Sequence, residues 1–392
     1  MSRAAQIIFF IETPFGERNY KRYGIEVLQK NGFDVEVWDF TPFLRPQIHR
    51  DVKVPDPIQF PGHKQFLNKQ EALAAISELA PDCFVVALIA YQYGSISIYR
   101  ALSSVRAGYC SVVTNAIPVM SAVTDLKSKW VQVRRSKLPK LMKALLSRIP
   151  FCFLGIRPAT VLLAGGEQSF RRVSNRPISR ETTVLWAHTR DYDLYLDEKD
   201  RPVHPDTKMG VFLDEYYPFH TDFKTWGYPH PCVPEKYYPS LCAFFDNLER
   251  TYGVRIVVAA HPQMRSEDDG FFRGRPVFRG KTVELVREAG FVIAHSSSAL
   301  NFAVLFHKPV LFITTDELRR DRRAACSIQG TAAWLNKVPI NVDAPLCLDW
   351  EKELAVDRDA YARYREAYIK RNDSPEQNTW QILADYLKAS EA

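Results

Sequence analysis

Short apolar runs alternate along the chain with stretches whose apolar residues return at helical spacing. Residues 5–12, AQIIFFIE, form the first run and read as a buried strand. RNYKRYGIEVLQKNG (18–32) follows with apolar positions near a 3.6-residue period and Gly32 placed to end a helix, and FDVEVWDF (33–40) is a second strand. A strand, a helix and a strand in that order form a βαβ unit and require a parallel sheet. After a proline-rich loop (42–61) the rhythm continues through helix 69–81, strand 83–91, helix 95–108 and strand 109–115, then strand-like runs at 159–166 and 182–189. It restarts with strand 209–215, helix 234–253, strand 254–262, helix 281–290, strand 291–298, helix 299–307 and strand 308–314. Helical stretches at 357–371 and 379–389 close the chain. The pattern predicts an α/β protein with two doubly wound, Rossmann-like domains: residues 1–195, a polar linker at 196–208, and residues 209–392 with its C-terminal helices.

Composition changes this picture little. The 392 residues are 46% hydrophobic and 25% charged, ordinary for a globular protein and long enough for two cores. No apolar run approaches the roughly 20 residues of a bilayer span, and the N-terminus runs directly into a strand with no cleavage signature. Seven scattered cysteines with no C-x-x-C spacing argue against a disulfide framework or a zinc cage and for a reducing cytosol. Charge matters more. The net charge of +7 is unevenly spread: eight basic residues and no acid lie between Leu126 and Arg148, interleaved with leucines, Met142 and Trp130. That stretch is either a solvated helix face or a surface for anionic headgroups at the inner face of the cytoplasmic membrane. No recognition motif for nucleic acid accompanies it.

The candidate chemistry collects where strands end. His295, Ser296, Ser297 and Ser298 interrupt an apolar strand-to-helix turn. In an open parallel sheet the helix N-termini beyond the strands' carboxyl ends bind anions, so these residues predict a phosphate site; the plainer alternative is a serine helix cap. His261-Pro262 ends the preceding strand and faces the same rim. Asp214 and Glu215 end the strand that opens the second half, where a carboxylate can act as general base or nucleophile. Asp191 and Asp193 form an Asp-x-Asp pair beside His188 and Arg190, a pattern that holds a divalent metal in some enzymes and here also suits a cleft contact. Gly165-Gly166 after one strand, and Glu12 and Arg18 after the first, are further cleft and acceptor candidates. There is no G-x-G-x-x-G at the first βα turn, no P-loop and no G-x-S-x-G elbow, which removes the main support for dinucleotide oxidoreductases, P-loop NTPases and α/β-hydrolases.

The order strand, His261-Pro262, helix, strand, serine turn, helix, Lys308-Pro309-Val310 resembles the donor-binding lobe of two-domain GT-B glycosyltransferases. It looks closest to bacterial transferases that use CMP-activated sugars, the sialyl and Kdo transferases of capsule and lipopolysaccharide synthesis. The resemblance implies two Rossmann-like lobes facing a central cleft, and a nucleotide phosphate held by His261, Ser296 and Ser297 without a metal cofactor. It also implies transfer of a sugar to a growing surface glycan or glycolipid. For that reaction the strand end itself offers Asp214, with Glu215 as the fallback, either to take the acceptor's proton or to attack the sugar carbon first. Asp191 and Asp193 are further catalytic candidates. Where many donor lobes carry a Glu in the helix after the small-residue turn, this chain has Asn301. Sugar-nucleotide epimerases and glycerophosphate transferases share the turn, so they stand as alternatives, as does a non-catalytic nucleotide-binding protein.

Overall fold

The computed structural model describes residues 6–52, 54, 56–114, 116–118, 149–170, 176–221, 223, 228–345 and 348–390. The basic stretch 126–148 lies outside them. Contacts divide the chain into two compact units, one of Met1–Thr114, Thr124–Arg190 and Arg371–Ala392, the other of Asn115–Val123 and Asp191–Lys370.

The first unit is built on β1 (Gln6–Ile11), β2 (Asp34–Asp39), β3 (His63–Gln65), β4 (Phe84–Ala87), β5 (Gly108–Val113), β6 (Val161–Ala164) and β7 (Thr183–Trp186). These seven form one sheet in the order β3-β2-β1-β4-β5-β6-β7, and every pairing is parallel. Ile7 to Ile11 are all buried, as expected of a strand covered by helices on both faces, where apolar side chains need not alternate with polar ones. The single helix expected over 18–32 is two short ones, Glu17–Arg22 and Ile25–Lys30. Gly24 breaks it with φ +54°, and a Cβ there would stand 2.2 Å from the Trp380 ring. Trp380 belongs to the last helix, Thr379–Ala389, whose Leu383 and Ala384 share a core with Ile7, Phe9, Ile25 and Leu28. The C-terminal helix expected in the second domain therefore packs into the first unit, because its apolar face is matched there. The proline-rich loop also holds two short helices, Thr41–Leu44 and Pro46–Asp51, each with a proline in its first turn, where the missing N–H costs nothing.

The second unit carries β8 (Asp206–Leu213), β9 (Arg255–Ala259), β10 (Val277–Phe278), β11 (Ala289–Ala294), β12 (Val310–Thr314) and β13 (Ile340–Asn341) in the order β10-β9-β8-β11-β12-β13. All pairings are again parallel. The strand order reverses between β8 and β11, which are neighbours although β9 and β10 separate them in sequence. Helix Pro234–Tyr252 covers one face by burying Tyr237, Leu241, Phe244, Phe245 and Leu248. The expected linker 196–208 is not a free connection. Helix Arg190–Glu198 reaches into it, β8 begins at Asp206, and Tyr195 and Leu196 pack on the core that holds Tyr192 and Met209. The six described cysteines are free, and no helix among the described residues is long and apolar enough to cross a membrane.

Candidate functional site

In a doubly wound sheet the helices on either side of the reversal point diverge and leave a crevice beyond the strand ends. In the second unit that place lies between the ends of β8 and β11. β8 delivers Asp214 and Glu215 to it, and β11 delivers His295 and Ser296. The two strand ends are tied together there: Ser296 donates its N–H to Glu215 Oε1 at 2.5 Å, and its hydroxyl donates to Oε2 at 3.2 Å. The Tyr217 hydroxyl lies 3.1 Å from Ser296 Oγ. Asp214 is only 4% exposed; its Oδ1 accepts the Tyr216 N–H at 2.9 Å, and Oδ2 has no partner. Tyr216 itself has φ +50°, a backbone conformation unusual for a bulky residue and characteristic of constrained sites.

Burial governs the charges here. Glu215 is half-buried, and the loss of solvent raises its pKa to about 7 against the pull of the Ser296 and Tyr217 donors. Burial likewise raises Asp214 to about 6, opposed by backbone N–H groups from Tyr216, His261 and Glu215. His295 is fully buried, with Nδ1 2.7 Å from the Ile313 carbonyl and Nε2 2.9 Å from the Tyr237 hydroxyl. Its pKa falls to about 4, chiefly through burial, so it is neutral. The carbonyl fixes the proton on Nδ1 and leaves Nε2 to accept from tyrosine. His295 thus pins β11 to β12 and to helix Pro234–Tyr252; it is turned into the core, not toward the rim.

The serine turn divides by residue. Glu215 takes the polar groups of Ser296. Ser297 is half-buried and accepts the Ala299 N–H at 3.3 Å in the turn ahead of the helix, whose own N-cap is Ala299 without a side-chain cap, while Ser298 is exposed. The helix that follows, Leu300–Leu305, is short. His261, half-buried beyond β9, accepts the Gln263 N–H on Nδ1, so its proton sits on Nε2. Its ring lies parallel to Tyr216 at 6.4 Å and 4.7 Å from the ring of His220, and Pro262 is exposed. Tyr217 and His220 are the residues that sequence reasoning passed over. Their signal was the run DEYYPFH (214–220), a polar and aromatic cluster directly after a strand.

The remaining candidates stand elsewhere. In the first unit, Glu12 follows β1 at that sheet's own reversal point; its Oε1 accepts from Arg45 Nη2 at 3.0 Å and from the Ala90 N–H at 3.2 Å. Arg18 is exposed. Gly165 is required because a Cβ would meet the Thr114 carbonyl oxygen at 2.9 Å, and Gly166 is buried beside it. His188 is buried and lies 2.9 and 2.8 Å from the carbonyl oxygens of Thr189 and Gln377, which makes it a strut for the C-terminal segment. Arg190 is half-buried at the start of helix Arg190–Glu198. In the second unit, Asp191 and Asp193 occupy that helix's first turn, and Asp191 Oδ2 accepts from Asn301 at 2.8 Å. Among the described residues no group of three or more His, Cys, Asp or Glu side chains is placed to hold a metal.

No family model matches the chain, and no curated protein matches it. Solved structures do. The wall teichoic acid polymerase TagF soaked with CDPG is 13% identical with a TM-score of 0.56, over 99% of this chain and 89% of its own. A protein from Listeria monocytogenes assigned as a UDP-N-acetylglucosamine 2-epimerase is 14% identical with a TM-score of 0.52, over 99% of this chain and 97% of its own. At such identities the likeness is one of fold. With two parallel sheets of Rossmann strand order in one chain, that fold is GT-B.

Proposed function

We propose that the protein is a nucleotide-sugar-dependent glycosyltransferase, with a cytidine-linked acidic sugar such as Kdo as donor and a bacterial surface glycan or glycolipid as acceptor. The observation that carries the reading is the meeting of the β8 and β11 strand ends, where a half-buried carboxylate with a pKa of about 7 accepts from the serine turn, and where His261 follows the neighbouring strand β9 with its ring 4.7 Å from that of His220. A general base works best when its pKa lies near the operating pH. Glu215 fits that role better than Asp214, which is more deeply buried and turned onto its own backbone. In this mechanism Glu215 accepts the proton of the incoming hydroxyl. The nucleotide phosphate leaves toward His261, Ser297 and Ser298, whose N–H and O–H groups offset the charge that develops on it. No metal is assigned a step, and chelation is expected to leave turnover unchanged. The preference for a cytidine donor rests on the His261-Pro262, serine-turn and Lys308-Pro309-Val310 pattern, and the TagF structure was soaked with CDPG. Membrane contact through 126–148 belongs to the same proposal, supported by charge alone.

The test joins binding to turnover. In a thermal-shift panel of CMP, CDP, UDP and GDP, CMP is expected to raise the melting temperature most, since a ligand of the folded state stabilises it by mass action. His261→Ala should weaken that shift. Glu215→Gln should lower kcat on the order of 10²–10⁴-fold and change nucleotide affinity little. A flat nucleotide panel, or full turnover in Glu215→Gln, would overturn the reading.

A further inference from the structure

The first unit has a second feature, at the opposite end of its sheet from the strand-end rim. A cavity of about 450 Å³ is lined by Leu73, Ser97, Arg100, Ser104, Gly155 and Arg157. It lies against helix Ile96–Ser104 and reaches the segment that leads into β6, where the Arg157 N–H donates to Ser103 Oγ at 2.9 Å. Ser103 precedes β5 and Arg157 precedes β6, so this is the side on which strands begin. Both arginines are exposed, and neither has an acidic partner among the described residues. Immediately before Gly155 runs the turn Phe151–Leu154, Phe-Cys-Phe-Leu. There Phe153 is 81% exposed, Cys152 is exposed, and Phe151 and Leu154 are half-buried.

Phe153 thus stands exposed two residues before Gly155 and four before Arg157 of the cavity lining, so an apolar side chain and two guanidinium groups without acidic partners among the described residues belong to one stretch of surface. We infer that this face docks on an anionic lipid bilayer, with Phe153 entering the acyl boundary and Arg100 and Arg157 meeting headgroup phosphates at the mouth of the cavity. Aromatic and aliphatic side chains suit the interface, and each basic residue near an anionic surface adds attraction. Guanidinium forks match phosphate oxygens bidentately. A protein partner would satisfy the aromatic ring equally well. The two exposed guanidinium groups, with no acidic partner among the described residues, complement an anionic surface and select the bilayer. Docking at the side where strands begin leaves the carboxyl-end rim of the same sheet open. The inference deepens the membrane contact of the proposed function by giving it a site among the described residues, and it does not depend on transferase activity.

Flotation of the full chain with vesicles tests it. Vesicles containing phosphatidylglycerol are expected to bind the protein, and pure phosphatidylcholine vesicles at least tenfold less. Phe153→Ser and the double variant Arg100→Glu/Arg157→Glu should each lower the bound fraction about tenfold while their melting temperatures match the parent's. Inorganic phosphate at millimolar concentration should not compete, because the site reads a surface and not a free ion. Glu215→Gln should bind vesicles like the parent, which separates this surface from the transferase reading. Equal binding to neutral vesicles, parental binding by both variants, or full displacement by free phosphate would overturn the docking surface.

Discussion

Glu215 illustrates how one residue can be both a structural tie and a chemical group. Its carboxylate closes the seam between β8 and β11 by accepting twice from Ser296, and the burial that this requires raises its pKa from 4.5 to about 7. The folded chain therefore holds a proton that the unfolded chain has released, so its contribution to stability is complete below pH 4.5 and is lost as pH rises through about 7. Gln in its place still accepts from the Ser296 N–H but never ionises. The melting temperature of Glu215→Gln should accordingly fall less than the parent's between about pH 5 and pH 8. Some decline remains, because Asp214 is raised to about 6 as well. Identical pH profiles in the two proteins would show that Glu215 ionises as a solvated carboxylate. His295 is the contrasting case. Sequence placed it in the same rim, and its type and position were compatible with an anion contact. Only the Tyr237 hydroxyl, 58 residues away, and the Ile313 carbonyl decide that it faces inward.

Among elements, the broken helix at Gly24 is the clearest instance of packing overriding pattern. Ala at this position would keep a positive φ and meet the Trp380 ring, whereas a Cβ added at Gly253, where φ is +63°, would find nothing within 4 Å. Gly253→Ala should cost on the order of 1–2 kcal/mol, the penalty for a left-handed Ala alone. Gly24→Ala should cost clearly more, read as a larger drop in the urea midpoint, and equal losses would remove the Trp380 contact from the account. The long apolar runs that became β1, β4, β8, β9, β11 and β12 were legible because buried parallel strands need no alternation. β10 and β13 were not, since two residues carry no period. Nor was the break at Gly24, because 18–32 reads as one helix until a side chain from residue 380 is set against it. The candidate site was legible to the same depth. Strand ends pointed to Asp214, Glu215, His261 and the serine turn, but the pairing of Glu215 with Ser296 follows from strand order, which local sequence does not contain.

At the scale of the molecule, both units repeat one arrangement. In each, a glutamate at the end of the strand beside the reversal point accepts from a backbone N–H beyond the strand across it: Glu12 from Ala90, and Glu215 from Ser296. The chain does not divide into halves to make these units, because its last residues return to the first. Trp380 packs edge-on against Phe9 at 5.1 Å and donates its indole N–H to the Arg22 carbonyl at 2.9 Å. Ile382, Leu383 and Leu387 are buried with it. Each large apolar side chain fully buried contributes roughly 1.5–3 kcal/mol, so these four together approach the whole stability of a typical domain, about 5–15 kcal/mol. A chain ending at Lys370 should therefore lose the first unit's cooperative transition. The second unit closes with Lys370 and should keep its own, seen as protected amides in helix Pro234–Tyr252 by hydrogen exchange. Simultaneous loss of protection in both units would show that neither folds without the other. Undiminished protection at β1 would show that the C-terminal helix is an accessory to the first unit and not part of its core.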